Sequence, residues 1–329
     1  MRKSKFFLNL GQIKNSWSDK IPALDLDLIL ADAINQPREF IITHPEFRPN
    51  PWQLLKIYIN LSRRNNDVPI AYITGHKEFF GLDFFVNKNV LVPRPDTEIL
   101  VETAISLISN IFKSQNLSVI PTAKEESLSG SPHPITLIDV GTGSGCIPIA
   151  INKTLQQLNT ATNKQTGITT HAIDISHRAL RVVKKNAKKH NVKINFHQGN
   201  LIEPIAKSSI FSLQSSLIIT ANLPYLTQSQ FDNEQSIKKE PKLALVADNQ
   251  NGLSLYEKLL TQLKSSIFNL QSSITLLLEI DPSQTTDIRT LVKNIFPSAQ
   301  IEIKKDLAGL DRVVIIQLIT STTTSHGTI

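Results

Sequence analysis

Apolar residues recur along the chain with two different periods, and the places where the period changes divide it. In residues 20 to 75 the spacing is three and four. "LDLDLILADAIN" and "PWQLLKIYINLSRR" each carry one apolar stripe, which predicts helices, the second entered through Pro51. Residues 77 to 92, "KEFFGLDFFVNKNVLV", are aromatic and β-branched, with Gly81 and Asn87-Lys88-Asn89 as turn signals, and predict a β-hairpin. "PRPDTEILVETAISLISNIF" returns to helical spacing. It is entered through Pro95, with Asp96 and Glu98 where a helix N-terminus favours acids. Residues 114 to 134, "SQNLSVIPTAKEESLSGSPHP", are polar and without period, and are expected to form a flexible surface insertion.

From residue 135 onward, strand-like and helix-like segments alternate. "ITLIDV" is followed by "CIPIAINKTLQQL", "THAID" by "HRALRVVKKNAKK", and "INFHQ", "LIITAN" and "SITLLLEI" read as further strands. "QIEIKKDLAGLDRVVIIQLI" reads as two strands joined near Ala308-Gly309. This alternation predicts an α/β fold, a mostly parallel sheet wrapped by helices, whose ligands sit beyond the carboxyl ends of the strands. The expected organisation is a helical segment over 1–75, a β-hairpin linker over 76–92 and an α/β domain over 93–329. No internal repeat is present.

Composition narrows the class. A chain of 329 residues, 40% hydrophobic, can bury a sizeable core. Its one cysteine, Cys146, rules out a disulfide framework, and no Cys/His set has zinc spacing, so no metal is expected. The longest apolar runs, such as "ITLLL", are too short to cross a bilayer. The first eighteen residues hold Arg2, Lys3, Lys5 and Lys14 and no acid, without the apolar region of a secretory signal. A basic surface tail is expected there, and a reducing cytoplasm is the expected compartment, an organellar matrix being the other compatible one. The net charge of +7 favours anionic partners without identifying one. Residues 177 to 193 hold seven Lys or Arg and no acid. The bland reading is a solvated helix face with Ala179, Val182, Val183 and Ala187 turned inward, and the alternative is a weak nucleic-acid or ribosome contact. A monomer is expected.

"DVGTGSG", residues 139 to 145, follows an apolar strand and precedes a helix. Gly141, Gly143 and Gly145, with Thr142 and Ser144 between them, allow a tight turn and close approach of a ligand to the backbone. The spacing is G-x-G-x-G, so it fails the dinucleotide fingerprint at the third glycine, and no Walker lysine is present. Asp174 ends the next strand, where a carboxylate can accept both hydroxyls of a ribose. Its separation from the loop exceeds the usual ~20 residues, an excess assigned to a loop insertion over residues 157 to 170. Asn200, ending the third strand, can pair with an adenine edge while Leu201 packs on the ring. Together these suit an adenosine cofactor without pyrophosphate, and S-adenosylmethionine fits. The bland alternatives are a bare strand-to-helix turn, a helix cap at Asp174 and a turn residue at Asn200. Cys146 reads as a filler beneath the loop.

"ANLPYL", residues 221 to 226, places Asn222 and Pro224 where a strand has just ended. An amide nitrogen is a poor nucleophile because its lone pair is delocalised. To attack a sulfonium methyl it must be held in line, with acceptors on its N–H groups. Asn222 offers a side-chain oxygen, Leu223 a backbone carbonyl, Pro224 a restricted backbone and Tyr225 an aromatic face. The motif reads as a clamp for a planar –NH₂ group; the bland reading is a strand-ending turn.

At this point the chain resembles the release factor glutamine methyltransferases, the PrmC/HemK family. The resemblance is carried by "PIAYITGHKEFFGLDFFVNKNVLVPRPDTEILVE", "LIDVGTGSGCIPIA", "AIDISHRAL", "ANLPYL", "EPKLAL" and "DLAGLDRVV". It implies a Rossmann-like class I methyltransferase domain with a seven-stranded, mostly parallel sheet, preceded by a small helical domain that recognises the release factor. It implies methylation, with S-adenosylmethionine, of the side-chain amide nitrogen (N5) of the glutamine in the Gly-Gly-Gln motif of class 1 peptide chain release factors. By resemblance Gly141, Thr142, Gly143, Ser144, Gly145, Asp174, Asn200, Leu201 and Asn222 serve the cofactor. Asn222, Leu223, Pro224 and Tyr225 serve the substrate, with Asn222, Pro224 and Tyr225 catalytic. The family usually has proline where Leu223 stands, an acid at Asn200, a glycine region at Asp281 and a basic residue at Leu310. Two other readings remain at this stage. One is a nucleic-acid adenine N6-methyltransferase, a class that shares NLPY but carries its extra helical domain after the catalytic one. The other is an inactive methyltransferase fold kept for binding, against which intact Gly141, Asp174 and Asn222 argue.

Overall fold

The computed structural model describes residues 8–117, 135–162, 167–211, 216–248, 251–267 and 273–318. It opens with five helices: α1 (Leu10–Trp17), α2 (Ala23–Ile34), α3 (Arg38–Thr43), α4 (Pro51–Asn65) and α5 (Ile70–Thr74). Asn9 with Gln12 and Asn50 with Gln53 form capping boxes that start α1 and α4, and α2 stops at Asn35 in the left-handed conformation. Leu26, Ile29 and Leu30 pack with Leu54, Ile57 and Leu61 and with Leu10 and Ile13 in one core. The periodicity pointed to helices only from residue 20, so α1 is an addition. It also corrects the expected basic tail: Lys14 lies on α1 and pairs with buried Asp27 at 2.5 Å, while Arg2, Lys3 and Lys5 fall outside the described residues.

Two short strands follow, β1 (His76–Phe79) and β2 (Leu82–Phe85), paired antiparallel around Phe80-Gly81. Both turn residues have positive φ, 53° and 70°, as a two-residue hairpin turn requires. The expected hairpin was longer. Residues 86–92 leave the ladder because Val86, Val90 and Val92 are buried in the sheet-side core instead, and the Asn87–Asn89 turn is no part of the hairpin. Buried Asn186 fastens this region: its amide oxygen accepts from the Phe85 N–H, and its –NH₂ donates to the carbonyls of Phe85 and Ser144.

A 3₁₀ turn (Pro95–Thr97) leads into α6 (Glu98–Leu117), so the helix enters through Pro95 by way of a tighter turn. The first residues of the expected insertion are helical, and 118–134 lie outside the described residues. Then come β3 (Ile135–Val140), α7 (Cys146–Thr162), β4 (Ile168–Asp174), α8 (His177–Lys189), β5 (Asn195–Gln198), β6 (Ser216–Ala221), α9 (Gln228–Asn233), α10 (Ser254–Ser266), β7 (Ile274–Glu279), α11 (Thr285–Ile295), β8 (Gln300–Lys305) and β9 (Asp311–Leu318). The sheet has seven strands in the order β5-β4-β3-β6-β7-β9-β8, parallel except for β9, which runs antiparallel to both neighbours. Residues 157 to 170 are not a loop insertion. Helix α7 continues to Thr162 and β4 begins at Ile168, with 163–166 outside the described residues. The long separation between the glycine loop and Asp174 is therefore mostly helix.

Every residue of β3 is buried, as befits a central parallel strand covered on both faces. Ile135 and Leu137 join the core with α6, α7 and α8, while Ile138 and Val140 join the one containing Tyr256, Leu259 and Leu260 of α10. The chain runs outward from β3 to β4 and β5 on one side, then returns to lay β6 and β7 on the other. The crevice at the carboxyl ends of β3 and β6 is where such sheets bind ligands.

Candidate active site

A cleft of about 370 Å³ lies at that switch point. Gly141 leaves β3 with φ 73°, and the N–H groups of Gly141 and Thr142 bond the Ile173 carbonyl at 2.9 and 3.0 Å, holding the loop against β4. Gly143 donates its N–H to Asp174 Oδ2 at 2.9 Å, and Ser176 donates to Oδ1 at 2.8 Å. Each carboxylate oxygen can accept a further hydrogen bond, and Asp174 lines the cleft. Burial raises the Asp174 pKa, and the two backbone N–H groups work against that rise. The third glycine is a packing requirement: a Cβ on Gly145 would come within 2.3 Å of Val183 Cγ2 on α8.

Asn200 stands two residues beyond β5 rather than at its end, and its –NH₂ donates to Glu203 Oε1 at 3.0 Å. Leu201 is buried with φ 53° and lines the same cleft. Asn222, Leu223 and Pro224 line the same cleft. The Asn222 –NH₂ donates to Thr97 Oγ1 at 3.1 Å. Leu223 packs so closely that a Cβ on Gly141 would meet its Cδ2 at 2.8 Å, and its N–H reaches the Tyr256 hydroxyl at 3.3 Å. That hydroxyl in turn donates to the Glu279 carbonyl.

The structure thus brings the glycine loop, Asp174, Asn200, Leu201, Asn222, Leu223 and Pro224 into one cleft. Gly145 sits just behind it. Tyr225 does not join the cleft lining. Burial raises its pKa, together with the Glu279 charge, and Arg312, Asp281 and Asp96 are its other charged neighbours. Its carbonyl accepts from Gln284 Nε2 at 3.2 Å, and a Cβ on Gly252 would lie 2.0 Å from that oxygen, which explains the glycine there.

Sequence reasoning missed the residues that hold the amide wall. Thr97, Tyr256 and Glu279 are buried, and so is Glu240, which accepts from the Val92 N–H at 3.0 Å and pairs with Arg94. Arg312 bridges Asp96 at 3.3 Å and Asp306 at 3.0 Å. These pairs join "PRPDTE" to "EPKLAL" and "GLDRVV", so the quoted motifs meet in space through charges that the sequence reading did not connect. Two buried acids are held near neutral. Burial pushes Asp139 up to about 7, Thr142 and then Thr220 opposing and Asp174 adding repulsion; burial likewise pushes Glu279 up to about 7, opposed first by Thr97. Cys146, pushed up to about 12 by burial, is no reactive thiol.

The cleft can be tested for an adenosine-bearing cofactor with a short charged tail. Beneath the loop, the Thr142 hydroxyl and the buried Asp139 carboxyl interact with each other. Above it the glycine turn and the paired Asp174 face the cleft. A turn of glycines that lets a ligand reach the backbone, beside a carboxylate able to accept two hydroxyls, fits such a ligand. Among the described residues no group of three metal-ligating side chains is present.

A methyltransferase domain model matches residues 133–285, and a PrmC N-terminal domain model matches residues 18–75. The release factor glutamine methyltransferase of Bacillus anthracis is 30% identical over 253 residues, covering 76% of this chain and 77% of that protein. That of Coxiella burnetii is 31% identical over 297 residues, covering 90% and 92%. Among solved structures, the release factor-specific protein-(glutamine-N5) methyltransferase of Alicyclobacillus acidocaldarius is 21% identical with a TM-score of 0.35, covering 71% of this chain and 98% of that one.

Proposed function

The chain belongs to the release factor glutamine methyltransferase family, and from that premise we propose how its cleft methylates the glutamine N5 of a Gly-Gly-Gln release factor with S-adenosylmethionine. One observation carries the reading: Asp174, a carboxylate suited to ribose hydroxyls, and Asn222, an amide suited to a substrate –NH₂, line a single cleft. When bound, S-adenosylmethionine supplies an electrophilic sulfonium methyl. The glycine loop and Asp174 would hold the nucleoside and Leu201 would cover the base, with Thr142 in the same lining. The Asn222 side-chain oxygen and the Leu223 carbonyl accept the two N–H bonds of the substrate amide. They orient its nitrogen and stabilise the positive charge that grows there. Pro224 stiffens the turn that presents both. Tyr225 contributes from behind, by anchoring its carbonyl on Gln284 rather than by stacking in the cleft.

The helical segment is read as the release factor dock. Trp52, Leu55 and Ile59 form one stripe on α4 at helical spacing and remain 79%, 53% and 51% exposed. Apolar side chains left open together in this way suit a protein partner. No helix among the described residues is long and apolar enough to cross a membrane, and the reading places the enzyme with its substrate in the cytoplasm.

The test is methyl transfer from labelled S-adenosylmethionine to a purified class 1 release factor, with a variant lacking the Gly-Gly-Gln glutamine as control. Label in the first and none in the second is expected. Label in RNA instead, or equal label in both factors, would overturn the reading.

A further inference from the structure

The amide clamp works only if Asn222 presents its oxygen to the cleft. A flipped side chain would point its own –NH₂ at the substrate –NH₂, donor against donor. The Thr97 hydroxyl, 3.1 Å from Asn222 Nδ2, does not decide this by itself, because a hydroxyl can donate or accept. The group behind it can. Glu279 ends β7, is 1% exposed, and interacts with both the Thr97 and Asn222 side chains. Its Oε2 has no hydrogen-bond partner. A buried carboxyl with half its capacity unmet is costly, and an apolar or amide side chain would be cheaper at a purely structural position.

We propose that Glu279 and Thr97 form a directional relay that fixes the orientation of the Asn222 amide, making both positioning residues for methyl transfer. The proposal rests on the reading of the cleft given above. An ionised Glu279 is an acceptor only, so the Thr97 hydroxyl and the Asn222 –NH₂, which both interact with it, can only donate to it. The oxygen of that hydroxyl then accepts from Asn222, whose –NH₂ is drawn inward and whose Oδ1 faces the cleft. A protonated Glu279 can donate instead. The hydroxyl is then free to point at Asn222, and the amide loses its bias. The charged and titratable groups facing Glu279 are Arg312 on β9, Asp96 on the 3₁₀ turn before α6, Tyr225 after β6, Tyr256 on α10 and Cys146 at the start of α7. Arg312 favours the anion, Asp96 opposes it, and burial holds the group at about 7, so the relay switches within the accessible pH range.

The experiment is single-turnover methylation of a release factor at saturating cofactor, from about pH 5.5 to about pH 8.5. It compares wild type, Thr97→Ser, Thr97→Val and Glu279→Gln, with cofactor titration and melting of each. Wild-type transfer should fall as pH drops through about 7. Thr97→Ser should keep both rate and inflection. Glu279→Gln should lose roughly tenfold at the alkaline end and titrate flat, and Thr97→Val should lose severalfold while keeping a weakened inflection, both with cofactor affinity unchanged, since the transition-state acceptor is mispositioned rather than removed. If Glu279→Gln does not fold, the Thr97→Val and Thr97→Ser pair decides alone. Full rate in Thr97→Val, or an undiminished inflection in Glu279→Gln, overturns the relay. If wild type itself transfers no methyl to the factor, the functional reading has failed and the relay falls with it. Transfer by wild type with unaffected variants sinks only the relay.

Discussion

The two walls of the cleft are held by different means. On the cofactor wall the contacts are backbone and near in the fold: Gly141 and Thr142 to the Ile173 carbonyl, Gly143 and Ser176 to Asp174. On the amide wall they are side chains from distant segments: Thr97 to Asn222, Tyr256 to Leu223, Gln284 to Tyr225, Glu240 to Val92. A wall of backbone turns is set once the strands pair. A wall of side-chain partners is set only when α6, α10, β7 and α11 have all docked. The first should tolerate loss of one group with a drop in affinity. The second should lose rate, because its acceptors matter most in the transition state.

The sharpest separation is expected from Asn222→Ala. Removing a preorganised transition-state acceptor typically costs roughly 10²–10³ in rate. The loop and Asp174 remain, so cofactor affinity should stay near wild type. Single-turnover methylation beside calorimetric cofactor titration measures both; a large affinity loss with unchanged transfer would erase the distinction between the walls.

Asp174→Ala is the mirror experiment. On the proposed reading it removes charge-assisted contacts to the ribose, on the order of 1.5–3 kcal/mol of cofactor binding. The single-turnover rate at saturating cofactor should change much less than the affinity. Calorimetry giving wild-type affinity would reduce Asp174 to a cap for α8.

A smaller effect isolates the acid beneath the loop. In the unfolded chain Asp139 ionises near the ordinary carboxylate value, whereas in the fold burial holds it up at about 7. Between those values the native state keeps a proton that the unfolded state has lost. Its contribution to stability therefore falls as pH rises through that window and levels off above about 7. Asp139→Asn keeps an acceptor for the Thr220 hydroxyl, which lies 2.7 Å from Oδ1, and cannot ionise. Without cofactor, the variant should gain on wild type between about pH 5 and about pH 8, on the order of 1–2 kcal/mol. Parallel melting curves across that range would show that Asp139 is not held neutral.

This contrast explains what could be read from the chain. The glycine loop, Asp174 and the order of strands follow from local patterns: apolar runs, turn residues, a carboxylate at a strand end. Asn222, Leu223 and Pro224 could be placed for the same reason, since they directly follow β6. Thr97 could not. Nothing near it in sequence says that it meets Asn222, 125 positions away. Glu240 likewise reads as surface charge until Arg94 and the Val92 N–H close on it. The helix that replaced the expected loop over residues 157 to 162 shows the converse failure. Gln, Asn and Thr weaken a helical pattern without preventing a helix already running from Cys146.

Leu223→Pro is the smallest change and the most telling about the amide wall. It restores the residue usual in the family and leaves the clamp carbonyl in the chain. It removes the Leu223 N–H, whose bond to the Tyr256 hydroxyl is long at 3.3 Å. That hydroxyl keeps its own acceptor, the Glu279 carbonyl, so no buried donor is stranded. The lost bond should cost about 0.5–1 kcal/mol, partly offset by a stiffer unfolded chain. Leu223 already precedes Pro224 and so already favours extended backbone, which limits how far the turn can change. The other loss is the Leu223 contact over Gly141, where proline is shorter. That contact joins the two walls, so any effect beyond a few tenths of a kcal/mol in cofactor binding would reveal coupling between them. Transfer within about threefold of wild type is expected. If Leu223→Pro proved more damaging than Asn222→Ala, the clamp would depend on the Leu223 N–H or side chain rather than on its carbonyl, and the amide wall would have to be rebuilt around Tyr256.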